Sequence, residues 1–246
     1  MSRRRVAVFF DWNGTLLNDL PLVFKSVMEI FKRYSVRPPS KRQYLAEING
    51  DFMKFYWGHG IPPNRSASDL NKIRRGIIFE NSIPTSLHQN ARRTLSSLER
   101  MGFTLALISA EDSALLASET ARFHVREKFS LIRGDSRKKT PVIRRALREL
   151  DVSPERVLYV GDTVDDVVSA RRAGVLTVAF SRGYNSKRRL ERAAPSFLID
   201  NLIDVPRIAK RLFLDAGCNL GSKSGRAVSS PCYDDLPRFA RSTFLD

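Results

Sequence analysis

The stretch VLYVGDTVDDVVSARRAG, residues 157–174, carries two periodicities in eighteen residues. Val157–Val160 is a continuous apolar run, the pattern of a short strand buried on both faces of a parallel sheet. Val164–Ala173 has helical spacing, and Gly174 supplies a stop. Between them lies Gly161-Asp162-Thr163-Val164-Asp165-Asp166, three carboxylates directly after a strand and at the start of a helix. Capping explains part of this: Asp162 or Thr163 can cap the helix, and acidic residues favour its first turn. That accounts for one carboxylate. Three together form a hard-oxygen cluster suited to Mg²⁺, which is held by one or two carboxylates plus water and phosphate oxygens.

The same alternation extends outward. Val6–Phe10, Phe103–Ser109 and Val175–Phe180 read as further buried strands, with Phe129–Ile132 and Phe197–Ile199 as weaker ones. Helical patterns separate them, at about Leu87–Met101, Ser113–Phe123, Thr140–Leu150 and Arg188–Ala193. This predicts an α/β fold: an open parallel Rossmann-like sheet sandwiched by helices, with its site beyond the carboxyl ends of the strands. Residues 18–85 break the rhythm. Leu20–Tyr34, Lys41–Ile48, Gly50–Gly58 and Ser66–Phe79 read as helices, punctuated by Pro38-Pro39 and Pro62-Pro63. The expected organisation is therefore a core of residues 1–17 and 86–214, an inserted all-helical cap over 18–85, and a disordered tail over 215–246, which is rich in Gly, Ser, Pro and Asp.

Composition narrows the function classes. The 246 residues carry 42 Lys+Arg against 26 Asp+Glu, a formal charge of +16, which raises nucleic acid, anionic membranes and anionic substrates as partners. No helix-turn-helix, RNA-recognition or zinc-finger signature accompanies the charge, so nucleic acid is not expected. The Arg runs at 122–148 and 171–192 fall largely on helices, where solvation is the default reading. Only Cys218 and Cys232 are present, which excludes a disulfide framework and fits a reducing compartment. No apolar run approaches the roughly 20 residues of a membrane helix, and the apolar start Val6–Phe10 is broken by Asp11 too early for a signal peptide. A cytoplasmic chain with no membrane partner is expected.

A second motif follows the first strand: Phe9-Phe10-Asp11-Trp12-Asn13-Gly14-Thr15-Leu16. Asn13-Gly14 between apolar runs is also a hairpin signal. A carboxylate at a strand tip, however, is where an α/β enzyme displays a reactive group, and Asp11 can serve as a nucleophile. With both motifs in hand, the chain resembles the haloacid dehalogenase superfamily of phosphohydrolases. Four elements match in order: Asp11-Trp12-Asn13-Gly14-Thr15-Leu16, Ser109 after Phe103–Ile108, a lysine before the Thr140–Leu150 helix, and Gly161-Asp162-Thr163-Val164-Asp165-Asp166. Leu158–Thr163, running on through Ala170–Gly174, is similar to the phosphoglycolate-phosphatase-like branch, whose cap is a helical insertion after the first motif.

The resemblance implies roles. Asp11 is the expected nucleophile and a Mg²⁺ ligand, through an aspartyl-phosphate intermediate on a small phosphorylated metabolite, with phosphoglycolate foremost. Asp162 and Asp166 complete the metal site with the backbone carbonyl of Asn13, Asp166 acting through water or through lysine. Ser109, Thr15 and the backbone of Gly14 and Ala110 hold the phosphate, although Ser109 can equally cap the following helix. Lys138 and Lys139 both stand near the lysine position, with Arg137 before them; counting back from Ala146-Leu147 favours Lys139. Thr163 is expected to orient Asp162, and Asp165 to lie on the helix surface.

One residue departs from the family pattern. Most phosphatases of the superfamily place Asp two residues after the nucleophile as general acid and base, and here that residue is Asn13. An amide cannot exchange that proton, a function that contributes roughly 10²–10⁴-fold. Slow turnover, a long-lived aspartyl-phosphate and a substitute acid all stay open, as do a metal-independent haloacid dehalogenase and a phosphate-binding protein with weakened catalysis. In the cap, Tyr44, Asp51, Phe52, Tyr56, Trp57 and His59 are candidates to face the substrate. The spacing of the aromatics among them is equally that of a packed helix face.

Overall fold

The computed structural model describes residues 5–48, 52–66, 68–70, 72–73, 76 and 85–215. The tail 216–246 with both cysteines, Asp51 and parts of the expected helix Ser66–Phe79 lie outside the described residues; within that helix, 68–70, 72–73 and 76 are helical.

The centre is a six-stranded parallel sheet. Its strands are β1 (Ala7–Phe10), β4 (Thr104–Ile108), β5 (Leu131–Arg133), β6 (Val157–Gly161), β7 (Leu176–Phe180) and β8 (Phe197–Ile199), in the spatial order β5-β4-β1-β6-β7-β8. Side chains along each strand alternate between two buried layers, as the pleat requires. Val8, Phe10, Leu105, Leu107, Leu158 and Val160 enter one core. Ala7, Phe9, Ala106, Ile108, Val157 and Tyr159 enter the other, beneath Ile143, Ala146, Leu147 and Ala170. Burial on both faces is why these strands read as unbroken apolar runs.

The strand order locates the site. β1 sits between β4 and β6, and the chain builds outward from β1 first to one side and then to the other. Such a reversal opens a crevice at the carboxyl ends of the central strands. Asp11 follows β1, Ser109 follows β4, and Asp162 follows β6. Three motifs far apart in sequence thus end at neighbouring strand tips.

Several boundaries differ from expectation. The helix expected from Leu87 begins at Ala91, because Asn90 adopts a left-handed conformation (φ 67°) that interrupts the helix. Ser86–Leu87 instead forms β3, pairing antiparallel with β2 (Leu17–Asn18). This ribbon joins the two chain segments that bracket the helical insertion. A helix at Asp204–Lys210, with Pro206 in its first turn where a missing N–H costs nothing, is unassigned by the sequence reading.

In the insertion, helices Leu20–Arg33, Lys41–Glu47 and Phe52–Gly58 bury an apolar cluster of their own around Val27, Ile30, Phe31, Tyr44, Phe55 and Tyr56. Phe31 stacks on Tyr56 at 5.7 Å and Tyr44 meets Phe55 edge-on at 5.4 Å. No helix among the described residues is long and apolar enough to cross a membrane. Leu107 is wholly buried in the central layer, so Leu107→Ala should lower unfolding free energy by about 2–5 kcal/mol, measured by urea denaturation of the full chain.

Candidate active site

β1 ends at Phe10, and the Asp11 N–H still donates to Val160 O at 2.9 Å, continuing the ladder with β6. The Asp11 carboxylate is therefore held at the sheet's centre. On the neighbouring tip, Gly161 precedes Asp162. A Cβ on Gly161 would stand 2.4 Å from Cβ of Asp166, so only glycine lets the helix after β6 turn back so tightly. That helix, Val164–Arg172, opens with a capping box: Thr163 Oγ1 accepts from the Asp166 N–H, and Asp166 accepts from the Thr163 N–H at 3.1 Å. Asp166 is thus both a cap and a site residue. Thr163 was expected to orient Asp162; its hydroxyl instead bonds Asp166 at 2.5 Å, because capping geometry points it at the third helical residue. Asp165 is exposed.

Asp11, Asp162 and Asp166 converge, each offering a carboxylate oxygen within 4.8 Å of the others. All three are buried. Lys139 Nζ lies 2.6 Å from Asp11 Oδ1 and 2.5 Å from Asp166 Oδ1. Lys138 and Arg137 are exposed. One ammonium therefore bonds two of the three carboxylates, and the electrostatics follow. Burial pushes the Asp11 carboxyl up to about 7 even though Lys139 opposes the shift. Burial, with the charges of Asp11 and Asp166 added, holds Asp162 well above the usual carboxylate range. Burial would lower Lys139, yet the Asp11 and Asp166 charges outweigh it and hold the ammonium well above its ordinary value. The surplus of negative charge and the all-oxygen donor set fit a hard divalent cation.

Around this cluster the loop after β1 is tightly fixed. Thr15 Oγ1 donates to Asp162 Oδ1 at 2.7 Å, and the Tyr184 N–H donates to Asp162 Oδ2 at 2.6 Å. Gly14 has φ 76°, and a Cβ there would meet Asp162 Oδ2 at 2.4 Å and the Tyr184 ring at 2.5 Å. Both conformation and space demand glycine. The Gly14 N–H donates to Asp19 Oδ1 (3.0 Å) and to Leu17 O (2.9 Å), and so does not point freely at a ligand. Ser109 is buried; its Oγ donates to Asn13 Oδ1 at 3.4 Å and accepts from the Glu111 N–H at 3.1 Å. Ala110 is exposed beside it.

Four participants went unassigned by the sequence reading. Asp19 stands at the N-cap of Leu20–Arg33 but caps nothing with its side chain. Its carboxylate turns to Gly14, to Asn13 Nδ2 (3.0 Å) and to the Tyr184 hydroxyl (2.7 Å). Glu111 accepts from Asn13 Nδ2 at 3.2 Å. Tyr184 and Asn185 belong to the loop after β7. Asn185 accepts from the Val164 N–H at 2.9 Å and donates to Ile48 O at 3.3 Å, tying the helix after β6 to the insertion. A strand-tip rule applied to β7 as well as to β1, β4 and β6 points to this loop; no pattern signals Asp19 or Glu111.

Of the cap candidates, Tyr44 and Tyr56 are buried in the insertion's own core and Phe52 packs against it. Trp57 is exposed at 43%. His59 Nδ1 lies 2.8 Å from Phe55 O and Nε2 lies 3.2 Å from Glu47 Oε2, so it serves the insertion itself.

The acidic cluster makes a pH prediction. Between pH about 4 and about 7 the folded, metal-free protein retains a proton on Asp11 that the unfolded chain has lost, so this group's contribution to stability falls as pH rises through that window. A divalent ion held by these carboxylates would compete with that proton. The increase in Tm on adding Mg²⁺ should be larger at about pH 8 than at about pH 5, read by differential scanning fluorimetry.

Comparison with known proteins bears on the family and the fold. The sequence profile of the haloacid dehalogenase-like hydrolases matches residues 8–180. A phosphoglycolate phosphatase from Synechococcus elongatus is 26% identical over 213 residues, spanning 84% of this chain and 98% of its own. A pyrophosphatase, PpaX, from Bacillus cereus is 25% identical over 210 residues, spanning 80% and 93%. The solved structure of a haloacid dehalogenase-like family hydrolase from Streptococcus pneumoniae superposes with a TM-score of 0.64 at 22% identity, covering 83% of this chain and 98% of that one, a likeness of fold. With its profile match running from β1 through β7 and across both carboxylate motifs, the chain belongs to the haloacid dehalogenase-like hydrolase family.

Proposed function

We propose that this chain is a Mg²⁺-dependent phosphatase that removes a phosphoryl group from a small phosphorylated metabolite through an aspartyl-phosphate on Asp11. The observation that carries the reading is the convergence of Asp11, Asp162 and Asp166 beyond β1 and β6, with Lys139 bonded to Asp11 and Asp166. Asp11 and Asp162, with Asp166 beside them and the Asn13 backbone carbonyl, would hold the ion. When bound, it would offset the repulsion between a carboxylate nucleophile and an anionic phosphate. Lys139 serves the same end from the protein side and keeps the Asp11 side chain in one position. Ser109 and the loop that carries Ala110 line the approach to Asp11 from the β4 tip.

In this reading residues 1–17 and 86–214 form the catalytic core, and 18–85 form a cap that covers the substrate and keeps water from the reacting groups. Asn185 and Tyr184 join the two parts, because both bond across from the β7 loop. The relatives' names include a phosphate monoester, phosphoglycolate, and an anhydride, pyrophosphate; the reading covers both chemistries. The metal-independent dehalogenase is less favoured, since a reaction without a cation leaves the surplus negative charge of the clustered Asp11, Asp162 and Asp166 uncompensated.

Phosphate release from 4-nitrophenyl phosphate should require Mg²⁺, stop on chelation, and fall to background in Asp11→Asn with the fold retained by circular dichroism. Undiminished turnover in that variant would overturn the assignment.

A further inference from the structure

The Asn13 side chain is held in one orientation. Its Nδ2 donates to Asp19 Oδ2 at 3.0 Å and to Glu111 Oε2 at 3.2 Å. A primary amide has two N–H donors, and both are used. The flipped amide would press its carbonyl oxygen against two carboxylate oxygens, so the acceptors themselves settle which end points where. Neither acceptor is loose. Asp19 is 5% exposed and also takes the Gly14 N–H and the Tyr184 hydroxyl. Glu111 also takes the Asp112 N–H at 3.0 Å. What remains of Asn13 is Oδ1, an acceptor, 3.4 Å from Ser109 Oγ.

Asn13, two residues after the nucleophile, therefore offers no proton and no free N–H. Lys139, the donor bonded to Asp11, is divided between Asp11 and Asp166. We infer that the chain accepts phosphoryl groups only from leaving groups that are stable as anions: acyl phosphates, phosphoanhydrides and esters of acidic phenols, with phosphate esters of simple alcohols as poor substrates. This rests on the phosphatase reading and narrows its substrate class.

The chemistry balances without an acid. An Asp11 carboxylate oxygen bonds to phosphorus, and the bond from phosphorus to the leaving oxygen breaks with its electron pair on that oxygen. The anion leaves and takes a proton from solvent. A water then bonds to phosphorus, the phosphorus–Asp11 bond breaks to restore the carboxylate, and the water's proton passes to phosphate or solvent. Asn13 Oδ1 can accept a hydrogen bond from that water and so position it. The second step also releases a carboxylate, itself a stable anion.

A matched series tests the inference. Wild-type enzyme with Mg²⁺ is assayed for kcat/KM on substituted phenyl phosphates and on benzyl phosphate, similar in shape but with an alcohol as leaving group; acetyl phosphate and pyrophosphate are run alongside. Because kcat/KM reports the steps through departure of the leaving group, slow dephosphorylation does not mask the comparison. Benzyl phosphate should lag 4-nitrophenyl phosphate by at least about 10²-fold, the lower bound of what general acid–base catalysis supplies. A smaller gap overturns the inference and leaves the phosphatase reading standing. Release from no compound in the series overturns both. The wild-type comparison suffices by itself; Asn13→Asp, which sets a third carboxyl between two, should raise turnover of benzyl phosphate more than that of 4-nitrophenyl phosphate.

Discussion

The Lys139 ammonium, buried against Asp11 and Asp166, is the contact on which the site's geometry depends. Breaking a buried ion pair by removing one partner strands a charge at a cost of several kcal/mol, so each of these residues fixes the others. The arrangement draws on the tip of β1, the first residue of the helix Lys139–Glu149 and the capping box after β6. None of those elements can shift without moving the cluster. One cation for three carboxylates also leaves the site short of positive charge; this imbalance favours a divalent ion, and an anionic substrate would need that ion's charge to approach.

A second polar layer stands behind the first. Asp19, Glu111 and Tyr184 immobilise Asn13 and Gly14, while Trp12 Nε1 donates to Glu119 Oε2 at 2.7 Å. The loop from Trp12 to Leu17 is thereby held from its flanks as well as by its own turn, in which the Leu16 and Leu17 N–H groups both donate to Trp12 O. Asp19 opens the first helix of the insertion, and Tyr184 belongs to the core. Their hydrogen bond connects the nucleophile loop to both parts of the molecule, so the position of the insertion and the setting of the Asn13 amide are physically coupled. The leaving-group preference inferred above is a consequence of this second layer.

The fold was legible because strands buried on both faces leave continuous apolar runs, and β1, β4, β6 and β7 all carry them. Asp11 and Asp162 were legible because carboxylates are uncommon at buried strand tips, Asp166 because it clusters with Asp162 in the first turn of the following helix, and Lys139 was separable from Lys138 by its distance from Ala146-Leu147, matched to the family's lysine. The supporting groups were not. Asp19 reads as a helix cap and Glu111 as a loop charge; Glu111 reaches Asn13 across 98 residues of sequence, and Asp19 turns from its helix to the nearby loop and to Tyr184, 165 residues on. The β2–β3 ribbon was hidden for a related reason: two-residue strands have no periodicity to read. The exposed Arg144, Arg145, Arg148, Arg171 and Arg172 lie on the helices that cover one face of the sheet, as helical spacing suggested.

The central proposal is that phosphoryl groups pass through Asp11. Acid quench of the Mg²⁺-loaded enzyme during turnover of acetyl phosphate, followed by mass-spectrometric peptide mapping, tests it most directly. The account predicts a phosphoryl group on the peptide containing Asp11, absent in Asp11→Asn and lost on treatment with hydroxylamine. Steady turnover with a phosphoryl group on a different side chain would contradict it.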